Sequence, residues 1–130
     1  MKLKGRKISG GKARGIALVS RKSLSFLGGV EPETGVIKDT ESDIKGESIR
    51  GKILVFPRGK GSTVGSYVIY QLKKNEVAPA AIVVEEAETI VATGAIIAGI
   101  PMVDKVDIGK IKIGKFVEVD ADKGEVHIEE

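Results

Sequence analysis

The chain has 130 residues, 42% hydrophobic and 30% charged, with 17 Gly, three Phe, two Tyr, one His and no Cys or Trp. That length suits one domain over residues 1–130 with an aliphatic core, and the missing Cys excludes disulfides, cysteine nucleophiles, thiolate zinc sites and a self-ligated iron–sulfur cluster. A net charge of +3 without an aromatic or Arg-rich platform argues against nucleic acid, and no stretch approaches the roughly 20 apolar residues of a membrane span, so the expected location is cytoplasmic.

Residues 2–9 alternate weakly and predict an edge strand, and 15–19 (GIALV) predict a buried one. The run 26–35 breaks regular structure with three Gly and a Pro. Residues 36–38 predict a short strand and 39–50 a polar connection. The clearest core strand is 52–56 (KILVF), stopped by Pro57. A Gly-rich loop at 58–61 leads into a helix over 62–75, because Val64, Tyr67, Val68 and Leu72 share one stripe. Ser62 is placed as its N-cap, Lys73 and Lys74 suit its C-terminal end, and Pro79 lies beyond. Residues 80–84 (AAIVV) complete a central βαβ unit, whose right-handed crossover implies parallel pairing. A helix over 89–98, a strand over 101–103 and a hairpin of 116–120 with 125–129 finish the chain. The pattern is that of a compact, mixed α/β domain.

Charge is unevenly spread: residues 1–30 hold eight Lys/Arg and no acid, whereas 117–130 hold six acids and one Lys. Either these are neighbouring strand faces of opposite sign, or a basic rim attracts an anionic substrate or acidic partner. His127, in the hairpin, reads as a strand residue without a catalytic part, and Tyr67 and Tyr70 as packing residues. The apolar run 95–101 reads as core, with a partner-facing patch as the alternative.

The segment 57–66 (PRGKGSTVGS) joins the end of a buried strand to a helix start, the usual ligand position in open α/β sheets. Free N–H groups and the positive helix end favour an anion there, and Arg58 and Lys60 add charge. A P-loop is rejected, because Lys60 precedes Gly61 and the first Gly is missing. A dinucleotide fingerprint through Gly59, Gly61 and Gly65 fits poorly, since about 50 residues of other pattern precede the supposed first strand. A plain glycine turn is the simplest reading from composition.

The strings 15–20 (GIALVS), 24–35 (LSFLGGVEPETG), 56–66 (FPRGKGSTVGS) and 78–82 (APAAI) together resemble the aconitase X swivel-domain family, over roughly residues 15–103. Leu27 stands where that pattern has an aromatic, and 41–44 (ESDI) replaces its His-Pro-Leu run. The resemblance implies a β/β/α swivelling-barrel lid that forms a heterodimer with a large subunit, which carries a [4Fe–4S] cluster. It implies a hydro-lyase that dehydrates (R)-5-phosphomevalonate to trans-anhydromevalonate 5-phosphate in the archaeal mevalonate route. A related hydroxy acid such as cis-3-hydroxyproline is the alternative substrate, and a non-catalytic anion-binding module the alternative role. The family's catalytic serine, the proton acceptor, falls on Ser62. Arg58, Lys60, Gly61 and Thr63 become candidates for substrate contact, and Gly28 and Gly29 are either a turn or a second wall of the site. Ser66, one turn into the helix, is expected to back-bond to a carbonyl instead.

Overall fold

Apolar runs without polar interruption become strands covered on both faces, and alternating runs become strands with one face in water. In a computed structural model, which describes residues 1–130, the chain forms β1 (Lys2–Lys4), β2 (Arg6–Ser9), β3 (Lys12–Val19), β4 (Leu24–Ser25), β5 (Ile53–Phe56), β6 (Gly59–Lys60), α1 (Gly65–Lys74), β7 (Ala81–Val84), α2 (Thr89–Ala98), β8 (Met102–Asp104), β9 (Phe116–Asp120) and β10 (Glu125–Ile128). A 3-10 turn at Ile108–Lys110 joins β8 to β9.

The large sheet runs β1-β10-β9-β3-β5-β7-β8-β2. Its two end strands are consecutive in the chain, joined through Gly5 alone, so the sheet closes on itself. Residues 2–9 are therefore not one edge strand: the segment breaks at Gly5, and its halves pair with β10 and β8. Closure leaves no edge in this sheet. Strands β3, β5, β7 and β8 are mutually parallel, as the central βαβ unit requires, while β9 and β10 form the C-terminal hairpin. The expected strand at 36–38 shrinks to isolated bridges, Val30 with Ile37 and Val36 with Ser48.

Two cores result. Inside the barrel, Ala17, Val19, Ile53, Val55, Val83 and Val119 belong to one buried cluster. The second lies between the sheet and the helices, where Leu54, Phe56, Ile82 and Val84 meet Val68, Ile69, Leu72, Val91 and Ala95. The parallel strands thus bury both faces, which is why KILVF and AAIVV show no alternation.

Helix α1 starts three residues later than its pattern suggested, with Val64 rather than Ser62 at the N-cap position. Its buried stripe is Gly65, Val68, Ile69 and Leu72. Val64 is therefore exposed, as are Tyr67 and Tyr70, which touch each other (ring centroids 6.4 Å apart) rather than the core. The stripe is turned because α1 packs on α2 through its small residues: Ile69 and Ser66 approach Gly94. Helix α2 has the expected span, with the Glu88 carboxylate accepting from Ile90 and Val91 N–H. Its run 95–101 divides: Ala95, Ala98 and Ile100 are buried, and Ile96 and Ile97 face outward.

The two charged ends of the sequence meet on the outer face of the barrel. Lys12 and Arg14 of β3 lie opposite Asp120 and Glu118 of β9, and Lys4 of β1 opposite Glu125 of β10. Donation from Lys4, then from His127, holds the Glu125 carboxyl down to about 2. Arg6 grips the buried Asp104 with Nε and Nη donating to separate carboxylate oxygens (2.9 and 2.7 Å), and Ala87 N–H adds a third bond at 3.1 Å. Burial pushes this carboxyl up, but those donors outweigh it and hold it below the usual carboxylate range. A depressed folded value gives stability that is present above the unfolded pKa and is lost as pH falls through the folded one. Asp104→Asn is therefore expected to destabilise most at neutral pH, with the gap to wild type narrowing below about pH 4. Denaturant midpoints at pH 7, 4 and 2 measure it, and a gap constant with pH rules out the carboxylate's part.

Candidate active site

The parallel strands β3 and β5 end side by side, with Val19 beside Val55. Both are followed by cations: Arg21 and Lys22 after β3, Arg58 and Lys60 after β5. Of the eight basic residues in the first 30, six (Lys2, Lys4, Arg6, Lys7, Lys12, Arg14) form ion pairs on the barrel, while Arg21 and Lys22 form none. Arg58 and Lys60 are also without carboxylate partners. The uneven charge therefore has two outcomes: most of it is a paired ladder, and the remainder is a rim of cations without ion-pair partners at this end of the sheet.

The segment 58–63 crosses that end. Its Gly59 and Lys60 are the two-residue β6, paired in parallel with Leu24 and Ser25 of β4, and Leu24 N–H donates to the Arg58 carbonyl at 3.1 Å. The pairing ties the two glycine loops together. Gly61 (φ +97°) turns the chain out of β6 over Ser25, a conformation that L side chains rarely adopt. Gly28 also has positive φ (+81°), and at Gly29 a Cβ would run into the Ser25 carbonyl oxygen. Beside them Leu27 N comes within 3.9 Å of where a Gly65 Cβ would stand, so residues 25–29 lie against the start of α1. Gly28 and Gly29 thus form a turn packed on Ser25, next to the start of α1. Phe26, which precedes that turn, meets Phe56 edge-on at 6.1 Å.

Ser62 and Thr63 stand exposed between these elements, with Arg58, Lys60 and Gly61. Ser62 Oγ accepts from Val64 N–H at 3.2 Å and caps no residue of α1 itself. The N–H groups of Ser62 and Thr63 donate to no protein acceptor. A hydroxyl that accepts from an N–H, beside two free N–H groups and several unpaired cations, is set to carry or stabilise negative charge. Ser66 is differently placed: its Oγ donates to the Ile90 carbonyl of α2 at 2.6 Å, across helices rather than back along its own, and its proton is engaged.

Three features of this end escaped the sequence. Arg21 occupies the same strand-end position as Arg58, a likeness visible only in that both follow an apolar strand. The pairing of β4 with β6 has two residues per strand and no period to detect. Finally, the departure at 41–44 acquires a partner: Asp43 accepts from Ser20 Oγ and Arg21 N–H, both at 2.8 Å. Burial raises the Asp43 carboxyl, but these two bonds hold it below its ordinary value. His127 is exposed on the barrel beside Glu125, and no three of the chain's His, Asp and Glu residues converge as a metal site.

The aconitase X swivel-domain model matches residues 2–128. A relative from Thermococcus sibiricus called phosphomevalonate dehydratase small subunit is 78% identical over 130 residues, covering 100% of both chains. One of the same name from Thermococcus kodakarensis is 75% identical, covering 98% of this chain and 96% of its own. The crystal structure of Thermococcus kodakaraensis aconitase X in its holo-form is 74% identical and superposes with a TM-score of 0.99 over 100% of this chain and 99% of that one.

Proposed function

We infer the function from one premise: this chain belongs to the aconitase X swivel-domain family. It is the small subunit of a phosphomevalonate dehydratase, a hydro-lyase subunit that works with a larger partner. The reaction removes water from (R)-5-phosphomevalonate to give trans-anhydromevalonate 5-phosphate, in the cytoplasm, as a step of the archaeal mevalonate route. The 130 residues act as one swivelling lid.

The observation that carries this reading is the exposed Ser62 Oγ, set where the sheet end, the start of α1 and the unpaired cations meet. The reaction takes a proton from the carbon next to the carboxylate and expels the hydroxyl from its neighbour. Ser62 Oγ is the proton acceptor. The serine oxygen can take that proton only as its alkoxide, after giving up its own proton to solvent, and the alkoxide is accessible only where its negative charge is stabilised; the Val64 N–H and the helix start are aimed at that charge. Arg58, Lys60, Gly61 and Thr63 hold the anionic substrate, with Gly28 and Gly29 as the opposite wall. This chain has no Cys and no converging donor set, so its residues do not fit a cluster of their own. A [4Fe–4S] cluster would be held by the large subunit and, when bound there, would supply a Lewis acid for hydroxyl departure.

Reconstitution tests the assignment. Mixed anaerobically with the large subunit, the chain is expected to convert 5-phosphomevalonate to the anhydro product, whereas neither subunit alone turns it over. Conversion of cis-3-hydroxyproline instead would reassign the substrate. Phosphate-dependent stabilisation of the isolated chain, with no turnover in the pair, would make it an anion-binding module.

A further inference from the structure

An uncharged surface of this highly charged chain lies over α1 and α2, beside the site. Thr63, Ser66, Tyr67, Tyr70 and Ile97 line an open groove of about 380 Å³. Tyr67 and Ile97 are 53% and 63% exposed, and Val64 and Ile96 extend the patch at 51% and 56%. Exposed aromatic and aliphatic residues without charge are the composition of an interface centre. We propose that this α1–α2 face seats the large subunit of the dehydratase, and this rests on the function assigned above.

Two observations select that occupant. The groove is continuous with the site, since Thr63 belongs to both, and the site itself is an open surface that another chain must cover to exclude water. The charges nearby disfavour a second copy: packed face to face through this groove, two chains would bring their unpaired Lys60 and Arg58 rims toward each other. A large subunit with an apolar projection and a neutral or acidic rim meets both requirements. The other exposed apolar patch, Ile16 beside Phe116 with Ile113 on the barrel, shares no residue with the site.

Ile97→Lys and Tyr67→Ser place charge or polarity at positions that are already exposed. Each is expected to leave the melting temperature of the isolated chain unchanged and to weaken its affinity for the large subunit by about tenfold or more, measured by titration calorimetry without substrate. Saturating large subunit should then restore kcat, with KM for phosphomevalonate unchanged. Phe116→Ser on the barrel should bind as wild type. Wild-type affinity for both groove variants overturns the proposal. So does a loss of affinity confined to Phe116→Ser, or an isolated chain that self-associates and is dispersed by Ile97→Lys. A pair that assembles through this face yet dehydrates no phosphomevalonate overturns the assigned function and leaves the seat standing.

Discussion

Ser62→Ala is expected to lower kcat for phosphomevalonate dehydration by about 10²–10⁴-fold, the usual contribution of a positioned acid or base, while the two subunits still assemble and KM stays near wild type. The clean separation follows from geometry. Because Val64 occupies the N-cap position of α1 and Ser62 Oγ accepts only the Val64 N–H, the substitution removes one turn bond and little of the helix. Nothing in the core touches that hydroxyl, since the residue is exposed. Ser66→Ala is the informative contrast. Its Oγ is engaged with the Ile90 carbonyl, so removing it should cost about 1 kcal/mol of stability and leave kcat within a few-fold. Turnover measured on the assembled pair decides between them. Retained activity in Ser62→Ala, or a larger loss in Ser66→Ala, would move the proton acceptor away from Ser62.

That contrast between neighbouring serines shows where the sequence was legible. Strands β5 and β7 were readable because both-face burial leaves unbroken apolar runs, and the hairpin because one-face burial leaves alternation. Closure of the barrel was not readable. It depends on Gly5 dividing one weak strand between two distant partners, β10 and β8, and nothing local distinguishes that from an edge. The rotation of α1 was misread because two stripes share Val68 and Leu72. Only the close approach of Ile69 and Ser66 to Gly94 chooses the one through Gly65 and Ile69. At the site, the glycine and serine pattern marked the loop. Which cations remain free there is a tertiary fact, fixed once the acidic C-terminal strands have paired with the other basic residues.

Phe56→Ala is the change expected to cost most in stability, about 3–5 kcal/mol in denaturant unfolding of the isolated chain. Phe56 is fully buried at the last position of β5, and its ring meets Phe26 edge-on, from the loop that carries Gly28 and Gly29. The pair therefore does more than fill the second core: it ties the loop of Gly28 and Gly29 to the end of β5, where the 58–63 segment begins. A coupling of about 0.5–1.5 kcal/mol between the rings is expected from the double-mutant cycle with Phe26→Ala. Leu72→Ala, a comparable cavity in the same core but on the buried face of α1, separates the two roles. It should cost about 2–5 kcal/mol and spare kcat per assembled complex, whereas Phe56→Ala should lower kcat even at temperatures where the protein is fully folded, because the Gly28–Gly29 loop is no longer held against the Ser62 loop. Equal kcat losses in the two variants would show that the aromatic pair supports the fold without positioning the site.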